Sequence, residues 1–269
     1  MSACASLTRL VAVLLLAGAL SACAAAVKKV EPDMAMPEST FRAPVSRALT
    51  MEQYRAAKDR TFVDVPDPWE GFNRTMYDFN ARFDEVVFLP LVNTYEFLLP
   101  DPAQEGVHNA IANLNEVPVF LNSVLQGEGL DAWVTFWRFV FNSTLGVAGV
   151  WDPAARMGMQ ARHEDFGQTL GVWGVGPGPY LVLPIYGPSG VRAGVGLLAD
   201  STISYFEMDL IFQALDFEDR DTAHWIDTGV RSVDARASNP FRYHSMDTPF
   251  EYDLVRFLYT KKREIEVGR

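Results

Sequence analysis

Four groups of residues in this 269-residue chain have side chains or spacings that could do chemistry. The first is a thiol. Leu20-Ser21-Ala22-Cys23 closes an apolar run, Leu10 to Leu20, that follows Arg9. A short apolar run ending in small residues before a cysteine is the pattern at which an exported envelope precursor is cut and the thiol acylated. Cys23 is therefore the expected lipid attachment point, and residues 1–22 the expected signal peptide. The run is about eleven residues long, whereas a spanning helix needs about 20. Ala24 stands where an aspartate would retain the protein at the inner membrane. The expected location is the outer membrane, lipid-anchored, on the periplasmic side.

The other three groups resemble catalytic or binding motifs and fall short of them. His163-Glu164-Asp165 offers a ligand cluster, but His108, His224 and His244 stand apart without metal-ligand spacing. A structural or capping role is expected, and no metal. Gly187-Pro188-Ser189-Gly190-Val191 has valine where a nucleophile elbow needs its second glycine, so Ser189 reads as a turn residue. Gly171 to Gly178 has Gly174 and Gly176 but not the third glycine of a dinucleotide loop, and no strand precedes it. No catalytic residues, no enzyme activity and no cofactor are expected.

Composition narrows the partners. Removing residues 1–22 takes away only Arg9, leaving 22 basic against 34 acidic residues and turning a formal charge of −11 into −12. Such a chain repels phosphate, so no nucleic acid is expected. Contact with anionic lipid must be apolar rather than electrostatic. Cys4 and Cys23 are the two cysteines, which leaves no disulfide within the mature chain. No lysine occurs between Lys58 and Lys261. A freely solvated surface usually carries lysine, so the gap suggests a body wrapped in apolar surroundings.

The elements that position these residues are mostly helical. Residues 23–66 read as a flexible spacer, interrupted by Pro32, Pro37, Pro44 and Pro66, with a short helix at 51–59. From residue 67 to 269 a single helical domain is expected. Asp67-Pro68-Trp69-Glu70 suits a capped helix start. Phe72, Met76, Phe79, Phe83 and Val86 then recur on one face, with Asn73, Arg74, Asp78, Arg82 and Glu85 on the rest. Pro90 should end or kink this element. A second helical pattern, Val107 to Leu125, should break or kink at Pro118. After a turn at Gln126–Gly129, Leu130 to Phe141 is apolar nearly all round, with Asp131 and Arg138 its only charges. Such a helix is either a central core helix or lies in lipid, and the pattern alone leaves both open. Gly146 to Pro188 is too rich in glycine and proline for regular helix, and holds a short strand at Tyr180–Leu183, half of a small hairpin. Helix returns from Val191. Thr222–Ala237 and Phe250–Ile265 fit two amphipathic helices beyond an acidic connector at Asp216–Asp221.

Several segments taken in order resemble the MlaA/VacJ family of outer-membrane phospholipid-transport lipoproteins. They are Asp67-Pro68-Trp69-Glu70-Gly71-Phe72-Asn73-Arg74, Phe79-Asn80, Leu125-Gln126-Gly127, Arg138-Phe139 and Asn142-Ser143-Thr144-Leu145-Gly146. Glu164-Asp165-Phe166-Gly167-Gln168-Thr169-Leu170-Gly171, Gly174-Val175-Gly176 and Gly178-Pro179-Tyr180 through Leu183-Pro184 complete the set. The resemblance covers about residues 67–200.

It implies a mainly α fold, an irregular helical ring or doughnut embedded in one membrane leaflet, with a glycine/proline-rich loop and a short β-hairpin. It implies a channel that takes mislocalised phospholipid from the outer leaflet. That lipid passes to a soluble periplasmic carrier feeding an inner-membrane ABC transporter, while a trimeric porin holds the ring. The residues implied for the channel or its gate are Asn73, Arg74, Met76, Asp78, Phe79 and Arg82, with Gly174 and Gly176 flanking a hinge-like loop. A passive porin-associated structural lipoprotein and an envelope phospholipase are the alternatives.

Overall fold

The structure, a computed structural model, describes residues 65–246 and 248–268, all within one compact unit. The signal peptide, Cys23, and the spacer up to residue 64 with its expected helix at 51–59 lie outside the described residues. Nine α-helices and one two-stranded sheet follow in chain order among the described residues. They are α1 (Glu70–Phe83), α2 (Leu89–Leu98), α3 (Asp101–Gln126), α4 (Gly129–Thr144), α5 (Pro153–Arg156), α6 (Phe166–Val172), β1 (Tyr180–Leu183), β2 (Gly187–Gly190), α7 (Val191–Ala214), α8 (Arg220–Ala237) and α9 (Glu251–Val267). The expected mainly α fold with a short hairpin is what is seen. β1 and β2 pair antiparallel, Tyr180 opposite Gly190 and Leu183 opposite Gly187.

Local chemistry explains the boundaries, and several differ from expectation. Asp67 is not the N-cap: that position is Trp69, without a side-chain cap, and regular helix begins at Glu70, although Asp67 Oδ1 accepts from the Trp69 N–H at 3.2 Å. Glu70 Oε1 accepts from Arg74 Nε, one turn on, at 2.9 Å. Pro90 neither ends nor breaks the first element. A π-helical turn, Asp84–Phe88, precedes it and α2 carries it in its first turn. The wider turn accommodates a ring that cannot donate to the carbonyl one turn back. Pro118 also sits inside a continuous 26-residue α3 rather than breaking it. That helix ends at Gly127 with φ 80°, where the Glu128 N–H donates to Ser123 O at 2.9 Å and the Gly127 N–H to Val124 O at 3.1 Å, a Schellman close. The stretch from Gly146 to Pro188 includes two short helices, α5 and α6, each started by an aspartate side chain, Asp152 or Asp165. The helix from Val191 runs on to Ala214.

Burial is inverted. Among the described residues the buried set holds 18 polar or charged side chains and 12 apolar ones. The apolar clusters are small: Tyr77, Tyr180, Val182, Tyr252 and Val255 between α1, the hairpin and α9, and Met208, Phe212 and Ala223 between α7 and α8. Arg256 is fully buried, while Trp225 and Phe97 are nearly four-fifths exposed. Among the described residues no helix is long and apolar enough to cross a membrane.

Candidate functional site: an inverted helical surface and a glycine segment

The inversion is sharpest on α1 and α4. On α1 the buried face is Asn73, Tyr77, Asn80 and Ala81, and Asp84 continues it. The apolar stripe Phe72, Phe79 and Val86 points outward. On α4 the buried residues are Ala132, Thr135, Arg138 and Asn142. Leu130, Trp133 and Phe136 are exposed on the opposite face. The apolar helix is thus no central core helix. Its exposed aromatic face fits the other reading, a helix lying in one leaflet or lining a lipid path.

What lies inside is a set of paired charges. Arg138 donates from Nε to Glu116 Oε1 at 2.6 Å, from Nη2 to Asp152 Oδ2 at 3.0 Å and from Nη1 to the Met159 carbonyl. Burial works against the Arg138 charge, but Glu116 and Asp152 outweigh it and raise its pKa. Burial lifts Glu116 above the usual carboxylate range, although Arg138 opposes the shift. A second network joins the two ends of the described region. Arg256 donates to Asp67 Oδ2 at 3.2 Å and to Asp253 Oδ1 at 2.8 Å, and Tyr252 Oη donates to Asp67. A third ties α6 to α9. Burial pushes Asp165 up, yet the Arg263 fork, with Nη1 2.6 Å from Oδ2 and Nη2 2.9 Å from Oδ1, holds it below the usual range. The Arg138–Glu116 and Arg256–Asp67 pairs are buried, at a desolvation cost that their hydrogen bonds offset in part, whereas the Asp165 side chain is 39% exposed. They fix a polar interior in place.

The sequence-predicted residues fall in different surroundings. Asn73 is fully buried and bonds the hairpin: Nδ2 donates to Tyr180 O at 3.1 Å and Oδ1 accepts from the Val182 N–H at 2.8 Å. Arg74 lies over the Tyr252 ring, 4.2 Å from its centroid, and donates to Asp253 at 3.2 Å. Met76 packs against the tyrosine cluster. Asp78 is half-buried, 3.8 Å from His244 Nε2. Phe79 is outward, stacked on Phe83 at 5.9 Å. Arg82 is exposed. Asn73, Arg74 and Met76 thus converge on the hairpin and α9, whereas Phe79 and Arg82 face away. Cys23 lies outside the described residues.

Gly174 and Gly176 belong to the exposed segment between α6 and β1. Gly174 has φ +91°, and a Cβ at either glycine would meet open space. The segment is held along its length: the Gly174 N–H donates to Gly171 O at 2.9 Å and the Val175 N–H to Leu170 O at 2.9 Å. Trp173 Nε1 donates to Leu125 O at 3.0 Å, and Arg192 Nη1 to Val175 O at 2.8 Å. The Arg192 N–H donates to Pro177 O at 3.3 Å.

The rejected motifs resolve plainly. Ser189 is a strand residue of β2, not a turn residue, with its hydroxyl on the Gly190 carbonyl at 3.4 Å. Asp165 caps α6, and the His163 carbonyl accepts from Gln168 Nε2 at 2.9 Å. Glu164 lies instead with Glu128 and Asp131, ligand atoms within 4.8 Å of one another. Sequence reasoning missed the ion-pair interior. The available signal was Arg138: a lone base in an apolar helix must find an acid.

Polar and ion-paired side chains are buried and large aromatics are exposed in a mainly helical protein. The MlaA lipoprotein family matches residues 65–266, and this chain belongs to that family. An Escherichia coli relative, the intermembrane phospholipid transport system lipoprotein MlaA, is 41% identical over 138 residues, half of this chain and 55% of that one. The Shigella flexneri protein of the same name is 40% identical over 139 residues, again half of this chain and 55% of its own. The chain thus spans about half the length of these named relatives. An uncharacterised Rickettsia prowazekii protein is 32% identical over 206 residues, 76% of this chain and 79% of its own. A solved structure concerned with maintenance of bacterial outer membrane lipid asymmetry matches with TM-score 0.58 at 29% identity. The match covers 76% of this chain and all of that one.

Proposed function

We propose that this chain is a non-catalytic outer-membrane lipoprotein that removes mislocalised phospholipid from the outer leaflet and passes it to a soluble periplasmic carrier. In this reading the helices form a ring in the inner leaflet, tethered through lipidated Cys23 and steadied by a trimeric porin. An amphipathic channel serves head group and tails. The single observation that carries it is the inverted burial of α1 and α4 in a member of the MlaA family. Leaving a charged head group in hydrocarbon costs several kcal/mol. In this reading the ion-paired interior holds the helices in place while exposed aromatics such as Trp133 and Phe136 meet acyl chains.

The test is complementation of a strain lacking the protein. Outer-leaflet phosphatidylethanolamine is labelled from outside with a membrane-impermeant amine reagent. Wild type should lower the labelled fraction to that of the parent strain, and a Cys23→Ala variant should not. Unchanged labelling on restoring wild type would sink the proposal. Mass spectrometry of gently extracted protein separates it from a passive porin brace, which carries no lipid. Turnover of labelled phospholipid by pure protein would instead favour a phospholipase.

A further inference from the structure

Three consecutive residues after α4 hold left-handed backbone: Val147 at φ 52°, Ala148 at 57° and Gly149 at 89°. Glycine adopts that conformation freely, and asparagine or aspartate with little strain, whereas a β-branched residue there is an outlier. Val147 is nonetheless valine and 58% exposed, so neither backbone preference nor core packing accounts for it. Its neighbours share the exposure: Leu145 is 59%, Trp151 62% and Met157 55% exposed. No charged residue stands between Arg138 and Asp152, and those two pair with each other at 3.0 Å. The outward face of α4 leads into this turn. Trp133 and Trp137 are in ring contact at 5.6 Å, Trp137 and Phe141 at 5.4 Å, and the Leu145 N–H donates to Phe141 O.

The left-handed run lets the turn pair its own backbone. The Gly146 N–H donates to Phe141 O, Ala148 to Ser143 O, Gly149 to Asn142 O, Val150 to Val147 O and Trp151 to Gly146 O, all within 3.3 Å. The Val150 carbonyl accepts from Asn109 Nδ2 at 3.2 Å. Water would satisfy such groups in an ordinary surface loop, whereas an apolar surround makes each unpaired one costly. Asn142 ties the turn to α5: its backbone O accepts from Gly149 and its Oδ1 from the Ala154 N–H at 3.1 Å. Arg156, two residues on, ends α5 and is exposed. Every other lysine or arginine side chain among the described residues has an ion-pair or hydrogen-bond partner. Arg156 has none, in a chain with 34 acidic residues against 23 basic ones.

We infer that the Leu145–Trp151 turn is an insertion point into a phospholipid surface, with Arg156 seated on a lipid phosphate. A bilayer supplies both halves of the complement, hydrocarbon for the uncharged tip and phosphate for the free cation. Aliphatic side chains lead, tryptophan follows and the cation comes last, the order in which an interface passes from acyl chains to head groups. The inference rests on the reading above for a membrane location, and adds the contact point and the group it meets.

The test uses the full lipidated chain in nanodiscs of phosphatidylethanolamine and phosphatidylglycerol, with a nitroxide on Leu145→Cys. The label should lie about 5–10 Å below the lipid phosphates, open to oxygen and shielded from an aqueous nickel chelate. Val147→Asn suits the left-handed backbone, so in detergent it should melt no lower than wild type, yet it should raise the label to phosphate level. A turn with a purely structural role would not separate the two readouts. Arg156→Gln should increase nickel access about fivefold, the worth of one cation near a lipid surface, and Arg156→Lys should restore most of the depth. A label open to nickel without either substitution overturns the inference, as does one shielded from both reagents, which puts protein over the turn. Depth indifferent to Val147→Asn overturns the insertion, and depth indifferent to Arg156→Gln overturns the phosphate contact. Failure of wild type to clear outer-leaflet lipid, with the label at depth, overturns the reading above and leaves the insertion standing.

Discussion

Asn73 and Asn80 stand in for a third strand beside the hairpin. Seven residues apart, they lie two helical turns apart on one face of α1. Asn73 bonds Tyr180 O and Val182 N, and Asn80 bonds Leu183 O at 2.9 Å and Ile185 N at 2.7 Å. Asn73→Ala strands two buried backbone groups, each costing about 1–3 kcal/mol, so the loss of stability should be about 2–6 kcal/mol. Denaturation in mild detergent measures it, and Asn73→Asp should also destabilise, because a carboxylate cannot donate to Tyr180 O. A second residue-level prediction concerns Glu207 on α7, whose pKa burial pushes up to about 7, with Arg231 opposing and Asp227 reinforcing the shift. Its folded pKa lies above its unfolded value, so the native state binds the extra proton and loses stability as pH rises from about 4.5 to 7. Glu207→Gln should therefore gain thermal stability over wild type progressively from pH 5 to pH 7, then hold that margin to pH 8. A pH-independent difference between the two melting curves would refute it.

At the scale of elements, a hinge role for the segment between α6 and β1 can be tested without disturbing the fold. Gly174 is unsuited to substitution because its φ of +91° strains any side chain. Gly176 has no such constraint and open space around it. Gly176→Pro should leave the unfolding temperature within a few degrees of wild type yet impair outer-leaflet lipid clearance, whereas Gly176→Ala should do neither. Normal clearance by the proline variant would refute a hinge there. The sequence made these elements legible to different degrees. The strand at Tyr180–Leu183 and the last two helices follow from turn residues and 3.6-residue periodicity. The continuity of α3 through Pro118 does not, because proline's intrinsic cost is outweighed by tertiary packing of a buried residue. Nor does the orientation of α1. Periodicity shows that Phe72 and Phe79 share a face, but not whether that face looks inward. The burial of Asn73 and Asn80 against the hairpin is not legible either, because their partners, its backbone groups, are more than a hundred residues away. Arg138 and Glu116 are likewise 22 residues apart on different helices, which no local pattern records.

For the whole molecule, the inversion predicts a dissociation between folding and membrane contact that an ordinary globular protein would not show. In a water-soluble domain Trp→Ala or Phe→Ala at a central helix costs about 3–5 kcal/mol because a cavity opens. Here Trp133 is 61% and Phe136 42% exposed on α4, with Arg138 and its acid partners occupying the inside. Their removal opens little cavity and deletes surface that would otherwise meet acyl chains. Trp133→Ser/Phe136→Ser should shift detergent unfolding by no more than about 1 kcal/mol, in the range of surface substitutions. In bilayers the same variant should sit shallower, since each large apolar side chain withdrawn from hydrocarbon forfeits about 1.5–3 kcal/mol. Quenching of tryptophan fluorescence by brominated acyl chains reads that depth. Arg138→Met is the matching interior change. It leaves Glu116 buried without its cation, a loss of about 3–5 kcal/mol, and should unfold the protein in detergent and bilayer alike. Should the serine double variant prove as destabilising as Arg138→Met, α4 would be a conventional core helix and the lipid-facing surface would have to lie elsewhere.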